Sequence, residues 1–212
     1  MQLKDIKKLY RLYMNGIVSH SMRQKGAAYR VNFGLTLPLL RRIAQQVPPS
    51  PQIAEELWHD TGVRESMLLA PMLYPIEQCT PEVAQRWASE IPNVEVADFC
   101  CKYLFSQLHS APQLAGCWIT STSSLLQYTG FRLAYSLLND IDDTEWLKET
   151  SRQAIAIAHN NEGAAAQAAQ RYLTEALMLK TAGRIVVELL QKDNNIDNSW
   201  RTNLIALYDE EL

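Results

Sequence analysis

The chain has 212 residues, 47% hydrophobic and 20% charged, with a formal net charge of −3. That length supports one substantial domain. The longest stretch without a charge, Tyr103 to Phe131, contains Pro112 and many Ser, Thr and Gln, which argues against a membrane span.

Other features narrow the class. Met1 to Gly16 carries Lys4, Asp5, Lys7, Lys8 and Arg11, so it does not read as a signal peptide. Cys79, Cys100, Cys101 and Cys117 form no CxxC pair, and the four histidines are not at ligand spacing with them, so neither a metal nor another cofactor is expected. Cys100 and Cys101 read as buried thiols, which suits a reducing compartment and a soluble, cytoplasmic protein, nucleoid-associated if it binds DNA. With 8 Gly and abundant Leu, Ala and Gln, helices are favoured over sheets. Charge is unevenly spread. Residues 1–42 hold nine Lys or Arg and one acid, while the remainder holds eleven basic and 22 acidic residues. The basic end either meets phosphate or is a solvated face paired to the acidic remainder.

The predicted elements follow in chain order. Leu3, Ile6, Leu9, Tyr10, Tyr13 and Ile17 recur at helical spacing, giving an amphipathic helix over 3–16 that Asn15-Gly16 ends. A short helix covers 18–25 and stops at Gly26. Residues 27–35 are an irregular connector, and Thr36 caps a helix through Leu39, Leu40 and Ile43 that exposes Arg41 and Arg42. Then a repeat begins. SPQIA at Ser50, TPEVA at Thr80 and APQLA at Ala111 each start a helix with proline, followed by a tryptophan (Trp58, Trp87, Trp118). A second helix follows each: Val63 to Tyr74, Val94 to Leu108 and Ser123 to Asn139. Further helices cover 143–159, 162–179, 180–192 and 199–208. A two-helix unit repeated at about 30 residues predicts an all-α superhelix of the HEAT/armadillo type. The expected layout is one domain: basic N-terminal helices over 1–47, repeats over 50–179 and capping helices over 180–212. The tryptophans are expected to pack between repeats.

No phosphate-binding loop, dinucleotide fingerprint, serine-hydrolase elbow or zinc-protease motif is present. The remaining constellation is Glu95, Asp98 and Arg132, with Arg64 and Glu65 one repeat earlier, all on second helices of consecutive repeats. A carboxylate and a guanidinium on neighbouring inner helices can face a cationic or phosphate-bearing ligand. The alternative is structural: Asn93 caps the helix, Glu95 complements its dipole and Asp98 pairs with Lys102 four residues on.

Four segments carry a resemblance: NFGLTLPLLRRIA at 32–44, ELWHDTGVRESMLLAPML at 56–73, NVEVADFCC at 93–101 and FRLAYSLL at 131–138. In this order and spacing, from about Tyr29 to Leu179, they are similar to the DNA alkylation repair family, the HEAT-like alkylpurine DNA glycosylases of the AlkD type. The resemblance implies hydrolysis of the N-glycosidic bond of alkylated purines, with Asp98 as the carboxylate that stabilises an oxocarbenium-like transition state. It places Arg132 on a phosphate; Arg64 and Glu95 on the inner helices, Arg41 and Arg42 in the basic N-terminal segment, and Arg171 are then expected to contact the DNA or substrate. Val94 and Arg171 stand where the family carries tryptophans, and Glu95 where it carries Asp. The implied partner is double-stranded DNA, alkylated or branched. A catalytically inactive DNA-binding scaffold, or a protein-binding one, remains the alternative.

Overall fold

The computed structural model describes residues 2–160, 162–193 and 195–208. Thirteen α-helices and no strand occur among them, so the all-α expectation holds. None of these helices is long and apolar enough to cross a membrane. The chain divides into two compact units, residues 1–80 and 81–212.

The first unit holds α1 (Leu3–Leu12), α2 (Gly16–Gln24), α3 (Leu37–Ala44), α4 (Pro51–Trp58) and α5 (Arg64–Leu73). α1 buries Ile6 and Tyr10. It ends at Leu12, earlier than its apolar spacing suggests, and Asn15-Gly16 does not close it. Asn15 instead opens α2, its side chain accepting from the Val18 amide at 3.1 Å. Ser50 likewise caps α4, from the Ile53 amide. Thr36 occupies the N-cap position of α3 but makes no side-chain cap bond.

The connector between α2 and α3 is held by α5. Val31 bridges Val63, donating to the Gly62 carbonyl at 2.8 Å and accepting from the Arg64 amide at 3.1 Å. Glu65, fully buried, accepts from the amides of Phe33 and Leu35. Arg64 donates to the Leu35 carbonyl at 3.0 Å and lies 3.4 Å from Glu65. A buried carboxylate and its neighbouring guanidinium thus satisfy backbone groups that no helix or sheet pairs. Gly34 sits in the middle of this loop at φ +74°, where a Cβ would lie 2.2 Å from the Asn15 carbonyl oxygen. Only glycine lets the connector approach α2 so closely.

The second unit opens with α6 (Pro81–Glu90) and α7 (Val94–Tyr103) and stacks α8 (Ala111–Ile119) with α9 (Ser124–Leu137), and α10 (Thr144–Asn160) with α11 (Ala164–Leu177). α12 (Lys180–Lys192) and α13 (Asn198–Ile205) follow. Second helices pack on second helices, α7 on α9 and α9 on α11, while α10 packs on α8 and α12. α7 stops five residues short of the expected Leu108, and a 3-10 turn over Phe105–Gln107 replaces its end. Trp118 and Trp146 bond from one helical unit to the preceding one. Trp87 and Trp118 are fully buried, and the Trp118 indole donates to Gln85 Oε1 at 2.7 Å and packs 5.1 Å from the Phe105 ring. Trp146 on α10 donates to the Pro112 carbonyl at 2.9 Å. Gly130 permits the tight α8–α9 crossing, because a Cβ there would meet the Ile119 amide nitrogen at 2.7 Å.

Candidate nucleic-acid interface

The second helices of the second unit present one continuous side-chain array. On α7, Asn93 caps the first turn by accepting from the Val96 amide at 3.1 Å. This sets Glu95 in the first turn, where its charge complements the exposed amides. Val94 is 41% exposed, and Asp98, one turn on from it, is half-buried. On α9, Tyr128, Arg132 and Tyr135 recur at four and three residues and so share a face. The opposite face of α9, with Gly130, Leu133 and Leu137, is buried. On α11, Arg171 and Glu175 are four apart.

These residues connect across the helices. Arg132 Nε donates to Asp98 Oδ1 at 2.6 Å, and the Tyr128 hydroxyl donates to the same oxygen at 2.8 Å. The guanidinium carbons of Arg132 and Arg171 lie 5.2 and 5.6 Å from the centre of the Tyr135 ring. The Tyr135 hydroxyl makes a long 3.4 Å contact with Glu175. Asp98 Oδ2 has no partner among the described residues, and Arg132 Nη1 is buried without one.

Electrostatics follow from this geometry. Burial works to lower the pKa of Arg132, but the hydrogen bond and charge of Asp98 outweigh it, and the guanidinium is held above its ordinary value. Burial, then the Asp98 charge, pushes the Tyr128 phenol up, so it remains a proton donor to Asp98. Burial also pushes up the Cys101 thiol, whose sulfur lies 3.5 Å from the Thr129 carbonyl. Cys101 is thus a packing group and no nucleophile.

The structure treats the sequence-derived site residues unequally. It brings Asp98 and Arg132 into direct contact and reaches Arg171 through Tyr135. The pairing of Asp98 with Lys102 does not form. Lys102 Nζ instead lies 5.8 Å from the centre of the Tyr103 ring, and Asp98 turns to α9. Two donors in a half-buried place outweigh one exposed pair along a helix, worth about 0.3–0.5 kcal/mol. Arg64 is withdrawn from any ligand, since its side chain is 7% exposed and bonds the 31–35 connector. Arg41 and Arg42 are exposed in the last turn of α3, with the Arg42 guanidinium 5.4 Å from the centre of the Tyr13 ring. Tyr128, Tyr135 and Glu175 were not singled out from sequence. The first two were detectable in QYTGFRLAY, where aromatic, arginine and aromatic fall on one helical face.

The sequence profile of the DNA alkylation repair enzyme family matches residues 8–170. The chain belongs to this family. The match spans all four motif segments and every helix of the array except the end of α11. No curated protein matches the chain. Among solved structures, one reported as "a new family of proteins related to the HEAT-like repeat DNA glycosylases with affinity for branched DNA structures" superposes with a TM-score of 0.77. It covers 92% of this chain and 88% of its own, at 18% identity. That likeness establishes the HEAT-like helical-repeat fold for this member of the DNA alkylation repair family.

Proposed function

We propose that the chain binds double-stranded DNA through the exposed array of α7, α9 and α11, and that it holds DNA without excising a base. The observation that carries this reading is the ion pair between Arg132 and Asp98. A carboxylate whose Oδ1 already faces a guanidinium offers a nascent oxocarbenium ion a weakened field. Arg171 adds a second cation where the family carries an aromatic wall, and a cation repels the positively charged alkylpurine that an aromatic ring would attract. The same features suit phosphate. Arg171 is an exposed guanidinium against the same Tyr135 ring as the half-buried guanidinium of Arg132, so the array carries two cations and one carboxylate already paired. The affinity of the structural relative for branched DNA supports this reading.

Titration of labelled duplex at several salt concentrations tests it. Binding should weaken steeply with salt, and Arg171→Ala should reduce the slope by about one contact. Salt-insensitive binding would refute it.

Base excision is the second reading, favoured by the uncommitted Oδ2 of Asp98, whose side chain is 41% exposed. Release of 7-methylguanine or 3-methyladenine from methylated duplex, lost in Asp98→Asn, would establish excision and overturn the binding-only conclusion.

A further inference from the structure

The turn between α1 and α2 exposes three aliphatic side chains on six consecutive residues. Leu12 is 70%, Met14 65% and Ile17 84% exposed. Together they form an apolar knob on a unit whose other large apolar side chains are mostly buried, and such a knob marks a contact surface.

The knob stands on a rigid base. The Asn15 amide donates to the Phe33 carbonyl at 2.8 Å, the Asn15 side chain caps α2, and the Ser19 hydroxyl donates to the Asn32 carbonyl at 2.8 Å. The close approach of Gly34 to Asn15 locks the turn from the other side. Cations surround it. Lys4, Lys8 and Arg11 are exposed and recur along one face of α1, leading to Leu12, and Arg42 sits against Tyr13 inside the turn. Asp5, bonded to Lys8 at 2.9 Å, is the one acid on that helix. From Lys4 to Arg11 the helix rises about 10 Å, over which a duplex presents about six phosphate charges.

We propose that this turn is a DNA wedge: Leu12, Met14 and Ile17 enter an opened base step at a branch or discontinuity, while Lys4, Lys8, Arg11 and Arg42 hold the adjoining phosphates. The proposal rests on the DNA-binding reading above. Aliphatic side chains enter base steps when the unstacking cost, a few kcal/mol per step, is met by added contacts. A branch point supplies a step that is already open, so the wedge confers preference for branched over continuous duplex. Its charge pattern also matches an anionic lipid surface, and its apolar knob a second copy of the chain, so the experiment separates these.

The test uses the full chain and a triple variant, Leu12→Ser, Met14→Ser and Ile17→Ser, whose positions are exposed and whose melting temperature should be unchanged. The probes are a four-way junction carrying 2-aminopurine at the branch, a continuous duplex of the same sequence, and vesicles of equal phosphatidylglycerol and phosphatidylcholine. The wild type should bind the junction more tightly and change the 2-aminopurine emission. The triple variant should lose about tenfold or more on the junction, roughly the 1.4 kcal/mol or more expected from forfeited wedge contacts, and little on the duplex. An undiminished junction preference in the variant overturns the wedge and leaves the DNA-binding reading intact. A wild type that binds neither DNA overturns both. Vesicle binding lost in the variant while junction binding is kept assigns the knob to a lipid surface. A wild-type dimer that the variant dissociates, with junction affinity unchanged, assigns it to self-association. Either result overturns the wedge.

Discussion

Asp98→Asn and Arg132→Met should destabilise the protein unequally, although they break the same 2.6 Å contact. In Asp98→Asn the amide oxygen can still occupy the Oδ1 position and its NH2 can face outward where Oδ2 now lies. The bond from Tyr128 then changes from charge-assisted to neutral, and the bond from Arg132 keeps its charged donor but loses the opposite charge. A hydrogen bond to a charged group contributes about 1.5–3 kcal/mol and a neutral one about 0.5–1.5, so the Tyr128 bond loses about 1 kcal/mol, and the lost ion pair of Arg132, partly screened by solvent, adds about 1, for about 2 in all. Arg132, with a side chain 19% exposed and Nη1 already without a partner, also keeps a charge that lacks its counter-ion. In Arg132→Met the methionine retains most of the aliphatic packing. The Asp98 side chain, 41% exposed, takes water in place of the guanidinium and keeps the Tyr128 bond. The expected cost is about 1 kcal/mol. The double variant also loses the charge at the Tyr128 bond and should cost about 2 kcal/mol, no more than Asp98→Asn alone, leaving a coupling of about 1 kcal/mol. Urea unfolding followed by tryptophan emission measures all three, since the unit carrying Asp98 also carries Trp87, Trp118, Trp146 and Trp200. Additive costs, or a larger loss for Arg132→Met than for Asp98→Asn, would refute the view that Asp98 and Arg132 are mutually committed.

Two further outcomes follow from the buried groups. Glu65→Gln sets an amide NH2 at the Oε2 position against the Phe33 amide and removes the negative charge beside the buried Arg64, so a loss of about 3–5 kcal/mol is expected on urea unfolding, and a loss below about 1 kcal/mol would remove Glu65 as the clamp of the connector. Alkaline pH should destabilise the fold. Burial pushes the Cys79 thiol up to about 11 from an ordinary 9, and the Tyr172 phenol up to about 12 from an ordinary 10. The unfolded chain therefore releases these protons while the native chain still holds them. This contribution is fully present below about pH 9 and is lost as pH rises through about 11 to 12. A melting temperature that holds steady or rises from pH 8 to pH 10.5 would contradict it.

Local chemistry was legible without the fold. Helical periodicity, proline at Pro51 and Pro81, and the capping side chains of Ser50 and Asn93 mark helix starts by interactions within one turn, and the structure keeps them. The recurrence of the proline–tryptophan unit announced stacked helix pairs, because such a unit leaves an apolar face that only a neighbour can cover. The order of four weak motifs pointed to the family. Choices between partners distant in sequence were not legible. Asp98 had Lys102 one turn away, but Tyr128 and Arg132, some thirty residues on, hold it because helix packing brings two donors to one oxygen in a partly dry place. Arg64 and Glu65 look like site residues in a linear reading. Tertiary structure commits them to backbone groups of the 31–35 connector, which no regular element satisfies. The apolar spacing that carries the first helix on to Ile17 is interrupted at Asn15 by capping and by the Phe33 carbonyl, and this leaves Leu12, Met14 and Ile17 in solvent. Sequence by itself therefore determined the helices, their pairing and the family, since these depend on interactions within a few turns. Only the tertiary structure decided which charges remain for a ligand, because that depends on which side chains meet after the helices pack.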